Sequence, residues 1–190
     1  MNIKKIQDAV DRALMEADIT DCKPVDIELV AKKIGFVVKR IQFRSISSKI
    51  QGLMLLDSMP GDMQKKIGSN KLILLNSEYD VKHQRFVVAH ELGHYYLHRD
   101  ECKNKKNPVF AQIEDDEIGI EAEACRFAAM ILMDEKIFSS AYKELKNNSE
   151  NRDIEIIRNL SAQFEVPQMA VKRRIAELNL GDETCVNMMK

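Results

Sequence analysis

Two histidines four positions apart, His90 and His94, enclose a glutamate, Glu91, in the stretch Phe86-Val87-Val88-Ala89-His90-Glu91-Leu92-Gly93-His94-Tyr95-Tyr96-Leu97-His98. On a helix, positions i and i+4 lie one turn apart on the same face, so both imidazoles can grip a single ion. Glu91 is rotated by roughly 100° from His90, which aims its carboxylate beside the ion rather than at it. A base placed there can take a proton from a metal-bound water. With 31% of residues charged, such a motif could arise by accident on a solvated helix, yet all four histidines fall between His83 and His98. Phe86, Val87, Ala89 and Leu97 give the segment apolar faces, and two imidazoles on a largely apolar helix need a partner. A divalent cation is the reading that supplies one.

A catalytic zinc takes three protein ligands and keeps a fourth position for water. His98 continues the helical step, but it would lie roughly 12 Å along the axis from His90, too far to share an ion. It reads instead as a helix-end histidine beside the C-terminal dipole. His83 falls in the first turn and reads as structural, with oxyanion stabilisation as its alternative; Tyr95 and Tyr96 are the other candidates for that role. The third ligand is sought in Ile120-Glu121-Ala122-Glu123-Ala124-Cys125-Arg126-Phe127-Ala128, where two glutamates compete. Glu121 shares a helical face with Ala124, Cys125 and Ala128, all small, which permits close approach to the histidine helix. Glu123 lines up with Arg126 at i+3 and reads as a solvent-facing pair. A carboxylate on the small, buried face needs a counter-charge, which a dication provides, so Glu121 is the expected ligand.

The rest of the chain must position these groups. Apolar spacing at Ile3, Ile6, Val10, Ala13 and Leu14 predicts a first helix over residues 3–17. Pro24 is expected to open a second, carrying Ile27, Val30, Ala31 and Ile34 and stopped by Gly35. Three strand-like segments follow, Phe36–Phe43, Ile50–Leu56 and Lys71–Leu75, with Pro60-Gly61 and Gly68-Ser69-Asn70 read as turns. Short connections favour an antiparallel three-stranded meander, whose last strand could offer a free edge to an extended peptide. Asn76-Ser77 closes that strand, and the histidine helix is predicted to begin around Asp80. The polar stretch Arg99–Pro108 reads as a loop rimming the cleft, and apolar periodicity returns from Ile120 to Leu132. The expected class is therefore α+β, with helices packed on a small antiparallel sheet.

Composition narrows the function. At 190 residues the chain is long enough for one domain with a real core, and 45% hydrophobic residues with few Gly and Pro lean towards helix. A net charge of −1 gives no case for a nucleic-acid or membrane surface. The first twenty residues lack a signal-peptide core, and the longest apolar run, Phe127 to Met133, is too short to span a bilayer. A soluble, cytoplasmic chain is expected. Cys22, Cys102, Cys125 and Cys185 form no C-x-x-C pair and read as reduced thiols.

Two blocks together resemble the ImmA/IrrE family of metallopeptidases, whose zinc site is of the gluzincin type. The first is Arg85-Phe86…Ala89-His90-Glu91-Leu92-Gly93-His94-Tyr95…Leu97-His98, and the second runs from Glu121 through Ala124 and Phe127 to Met133. Aligning the family pattern E-x-x-A-N-x-F-A on Ala124 and Phe127 puts its zinc-binding glutamate on Glu121, in agreement with the face argument. The resemblance implies a minimal zincin-like fold, Zn²⁺ held by His90, His94 and Glu121, Glu91 as general base, and endopeptidase activity. It also implies a protein substrate, a helix-turn-helix transcriptional repressor. Two positions depart from the pattern. Cys125 stands where Asn or Asp is expected to brace a ligand histidine, and a thiol there is a weaker hydrogen-bond partner and a candidate oxidation-sensitive spot. Asp134 replaces the Pro that ends the family's L-L-M-P run.

The chain is expected to divide into residues 1–150, holding the metal motif, and residues 151–190, a helix-turn-helix-like pair packed on it. Leu160-Ser161-Ala162-x-Phe164-x-Val166 leads into Pro167 and then Met169-Ala170-Val171, with Lys172, Arg173 and Arg174 placed to meet phosphates. Glu155, Glu165 and Glu177 weaken that electrostatic case. The rival reading is accordingly a DNA-binding or protein-docking regulator with a metal site that does not cleave.

Overall fold

The computed structural model describes residues 1–20, 24–43, 50–56, 59–99, 109–111, 119–147 and 153–181. Among them the chain runs α1 (Ile3–Glu16), α2 (Ile27–Lys33), β1 (Val37–Ile41), β2 (Gly52–Leu56), α3 (Gly61–Ile67), β3 (Lys71–Asn76) and α4 (Val81–Leu97). It continues through β4 (Val109–Ala111), α5 (Ile120–Leu132), α6 (Glu135–Asn147), α7 (Asp153–Gln163) and α8 (Gln168–Glu177). The class is α+β, as expected. The loop over residues 100–108 and the acidic run Glu114–Glu117 lie outside the described residues, as do Cys22, Cys102 and Cys185.

Local chemistry sets most boundaries. Asn2 caps α1 by accepting from the backbone N–H of Lys5. For α2 the cap is Asp26, which accepts from Leu29 N–H, so the helix begins at Ile27 and not at Pro24. A carboxylate that satisfies a free helical N–H outweighs a proline's preset φ. Gly35, at φ +94°, then lets the chain leave the helix. The Pro60-Gly61 turn proves to be the start of α3, a short helix with no buried residue. No apolar stripe announced it, and periodicity is silent on such a helix.

The sheet corrects the expected antiparallel meander. Its order is β1-β3-β2-β4. β3 pairs antiparallel with β2 (Leu53 opposite Leu74) but parallel with β1 (Val38 opposite Ile73). The fourth strand, β4, adds antiparallel to β2, with Gly52 opposite Ala111. Connection length between successive strands suggested hairpins, but the route from β1 to β3 passes through β2 and α3, which is chain enough for a parallel crossover. β3 is consequently interior and has no free edge; among the described residues the sheet's edges are β1 and β4.

α4 is the hub. Asp80 caps it by accepting from His83 N–H at 3.0 Å, and every residue from Gln84 to Tyr95 is buried. It packs on β2 and β3, on α1 and α2, and most extensively on α5. Gly52 lets the sheet lie down on it, since a Cβ there would fall 2.4 Å from Val87 Cγ1. Ile73, Leu75, Leu92 and Phe127 fill the core around it.

α7 and α8 are joined by a turn in which Glu165 takes φ +52°. That turn is held on α4, where Arg85 Nε donates to the Glu165 carbonyl at 3.2 Å and Lys82 Nζ to Ser161 Oγ at 3.1 Å. Arg174 is only 3% exposed and donates to the Met133 carbonyl at the end of α5. It therefore does not present its guanidinium to a phosphate, as the rival DNA-binding reading would need.

Candidate metal centre

His90 and His94 project from the same side of α4, and Glu121 meets them from the first turn of α5. His90 Nε2 lies 3.0 Å from His94 Nε2, and Glu121 Oε2 lies 3.1 Å from the first and 3.3 Å from the second. Two nitrogens and one carboxylate oxygen thus form a small triangle, all within 4.8 Å of one another. A tetrahedral zinc with bonds of about 2.0–2.1 Å separates its ligand atoms by about 3.3 Å, so the donor set and its spacing fit that ion. Both imidazoles are fully buried, and Glu121 is half-buried.

The close approach has a sequence cause. Gly93 faces α5, where a Cβ would fall 3.0 Å from both the Cα and the carbonyl oxygen of Ala124. With Gly on one helix and Ala on the other, the two backbones nearly touch, which lets Glu121 reach the histidines. Sequence reading used the small residues of α5 but passed over Gly93, whose position one before His94 was the available signal.

Electrostatics follow the geometry. Burial lowers the affinity of His90 for a proton, against the raising effect of its bond to Glu121. Partial burial works to raise the Glu121 carboxyl, but the hydrogen bonds from His90 and His94 outweigh it and hold the group far below the usual carboxylate range. Glu91 behaves in the opposite way: complete burial, then the charge of Glu121, push its carboxyl well above the ordinary value. Neither Glu91 oxygen has a hydrogen-bond partner among the described residues. A buried carboxyl without a partner is expensive unless it serves chemistry.

The remaining predicted residues fall as follows. Cys125 Sγ lies 3.4 Å from His90 Nδ1, so it occupies the bracing position that the resemblance assigned to Asn or Asp. Burial, reinforced by the charges of Glu121 and Glu177, pushes its thiol up to about 12. An acid that weak supplies little thiolate, the form of sulfur that oxidises most readily. His83 bonds Gln51 Oε1 at 2.6 Å and stacks on Tyr79, two helical turns before His90. The Tyr95 hydroxyl accepts from Lys71 Nζ at 2.9 Å, and the Tyr96 hydroxyl donates to Glu16 at 2.7 Å. Each of these three side chains is thus engaged in a contact outside the triangle.

One expectation is corrected here. Glu123 does not stand in a surface pair with Arg126; its Oε2 lies 3.0 Å from His98 Nε2, while Arg126 pairs with Glu177 at 2.7 Å. His98 in turn is 2% exposed, and its Nδ1 lies 3.3 Å from Nδ1 of His94. Helical projection placed Glu123 outward because it cannot see the chain end of α4 passing over the start of α5.

The profile of the IrrE N-terminal-like domain matches residues 32–176, which spans both blocks of the site. The chain belongs to the ImmA/IrrE family. This family member is 26% identical over 105 residues to the metallopeptidase ImmA of Bacillus subtilis (strain 168), a match covering 55% of the chain and 56% of that relative. In structure it is similar to a Mycobacterium tuberculosis transcriptional regulator, with a TM-score of 0.55 at 15% identity over 92% of this chain and 47% of that one. At that identity the likeness speaks for the fold alone. Among the described residues, no helix of this ImmA/IrrE chain is long and apolar enough to cross a membrane.

Proposed function

We propose that this chain is a zinc-dependent endopeptidase of zincin-like fold that cuts a peptide bond in a protein substrate. The observation that carries the reading is the triangle of His90, His94 and Glu121 beside a buried, unpartnered Glu91. Zinc held by those three side chains would supply a Lewis acid and a water acidic enough to attack a carbonyl near neutral pH. Glu91 takes the proton released at the attack, holds it on its carboxyl, and passes it to the departing amine nitrogen. The walls of α4 and α5 exclude water from the far side of the histidines.

The substrate class proposed is a helix-turn-helix transcriptional repressor in the cytoplasm. The resemblance to the ImmA/IrrE family is what suggests it; the ImmA relative's name speaks only for metallopeptidase activity. Residues 1–150 would carry the peptidase and residues 151–190 a helix-turn-helix-like pair packed on it. The rival, a DNA-binding or docking regulator, is weakened by Arg174, which is committed to Met133 and Glu177.

The purified chain is to be incubated with a candidate repressor, with and without chelator. Glu91→Gln is expected to keep stoichiometric zinc and lose cleavage, while His94→Ala and Glu121→Ala lose both. Cleavage at the original rate by Glu91→Gln would remove Glu91 from the role of base.

A further inference from the structure

We propose that His98, anchored by Glu123, is a positioning residue that fixes the tautomer of His94 and so turns its Nε2 towards the metal. The inference rests on the reading of His90, His94 and Glu121 as metal ligands.

A neutral imidazole carries one donor nitrogen and one acceptor. His94 Nε2 faces the triangle, so a metal there needs its lone pair and the ring hydrogen must sit on Nδ1. That Nδ1 lies 3.3 Å from Nδ1 of His98. Two ring nitrogens bond only if one donates and the other accepts, so His98 Nδ1 is the acceptor and its own hydrogen sits on Nε2. Nε2 of His98 lies 3.0 Å from Glu123 Oε2, and a carboxylate can only accept. The chain His94 → His98 → Glu123 therefore has one polarity, set from its carboxylate end. The reverse polarity would put a hydrogen on His94 Nε2, in the place of the metal.

The fold supports this wiring at each joint. His98 is the residue after α4, one turn beyond His94, and its backbone N–H still bonds the His94 carbonyl at 2.9 Å. It is 2% exposed, so bulk water does not reach in to replace it as acceptor. Glu123 projects from the first turn of α5, the same turn that carries Glu121, so one helix supplies both the ligand and the anchor. The brace on the other histidine is of a different kind: among the described residues His90 Nδ1 meets the sulfur of Cys125, a weak acceptor. The firm brace is on His94.

The test uses the full chain and reads zinc affinity by competition with a chromophoric chelator, together with ¹⁵N NMR of the histidine rings in the zinc-loaded protein. His98→Leu keeps the buried shape but offers no acceptor, and it is expected to weaken zinc binding about 10–100-fold. His98→Gln returns a carbonyl acceptor and should recover most of that loss. Glu123→Ala, at the partly exposed rim, should fall between the two and keep the fold. The spectra should show hydrogen on Nδ1 of His94 and on Nε2 of His98. Hydrogen on Nδ1 of His98 would overturn the proposal, even if His98→Leu failed to fold. So would a folded His98→Leu that binds zinc within about twofold of the parent while His94→Ala loses it, leaving the metal site itself intact. A parent chain that takes up no zinc would sink the metal site and this inference together.

Discussion

The Cβ that Gly93 lacks would fall 3.0 Å from both the Cα and the carbonyl oxygen of Ala124, and 3.2 Å from Phe127 Cβ. This contact between α4 and α5 sets the distance at which Glu121 meets the two histidines. Gly93→Ala would gain up to about 1 kcal/mol of helix propensity. Against that, a methyl pressed on backbone costs about 1–3 kcal/mol, because neither helix can yield as a flexible side chain would. The variant is expected to melt lower than its parent and to bind zinc at least about 10-fold more weakly as Glu121 is pushed away. Calorimetry and chelator competition check the two parts separately, and unchanged zinc affinity would show that α5 does not need this approach.

Cys125 offers sulfur where His90 Nδ1–H needs an acceptor, at 3.4 Å. Cys125→Asn supplies an amide oxygen on a side chain of similar reach. It should raise zinc affinity, by about 10-fold if the thiol brace is as weak as its chemistry suggests. Equal affinity in the two proteins would mean that the sulfur braces as well as an amide does.

The same thiol makes the metal-free protein sensitive to alkali. Its folded value of about 12 stands above its ordinary 9.0, so the unfolded chain gives up the proton first. Stability linked to this group is complete below about pH 9 and is lost as pH rises towards 12, at up to about 1.4 kcal/mol per pH unit. Urea unfolding between pH ~8 and ~10.5 should therefore show a loss of up to about 2 kcal/mol that Cys125→Ala lacks. A parallel loss in both proteins would place the sensitivity elsewhere.

Spacing alone determined the core of the candidate site. His90, Glu91 and His94 lie within one turn and a half of a helix whose pitch is a local property, so their mutual placement could be read without the fold. Glu121 was legible for a related reason: the small residues on its face marked the side on which α5 could come close, and the structure brings it to the histidines. The α+β class was legible from the change of hydrophobic period along the chain, and the Asp80 start of α4 from its capping chemistry.

Tertiary structure decided what depends on residues far apart in sequence. Which strands become neighbours is a matter of crossover route, so β3 could slip between β1 and β2 and run parallel to β1 with no local signal of it. Arg174 became a buried anchor for Met133 only because α8 packs back on the end of α5. Glu123 and His98 met because helix ends cross there, 25 positions apart, whereas a helical projection knows only the neighbours on its own helix. Periodicity orients a side chain about its own axis; the burial and partner of that side chain belong to the packing of axes against each other, which no single segment encodes.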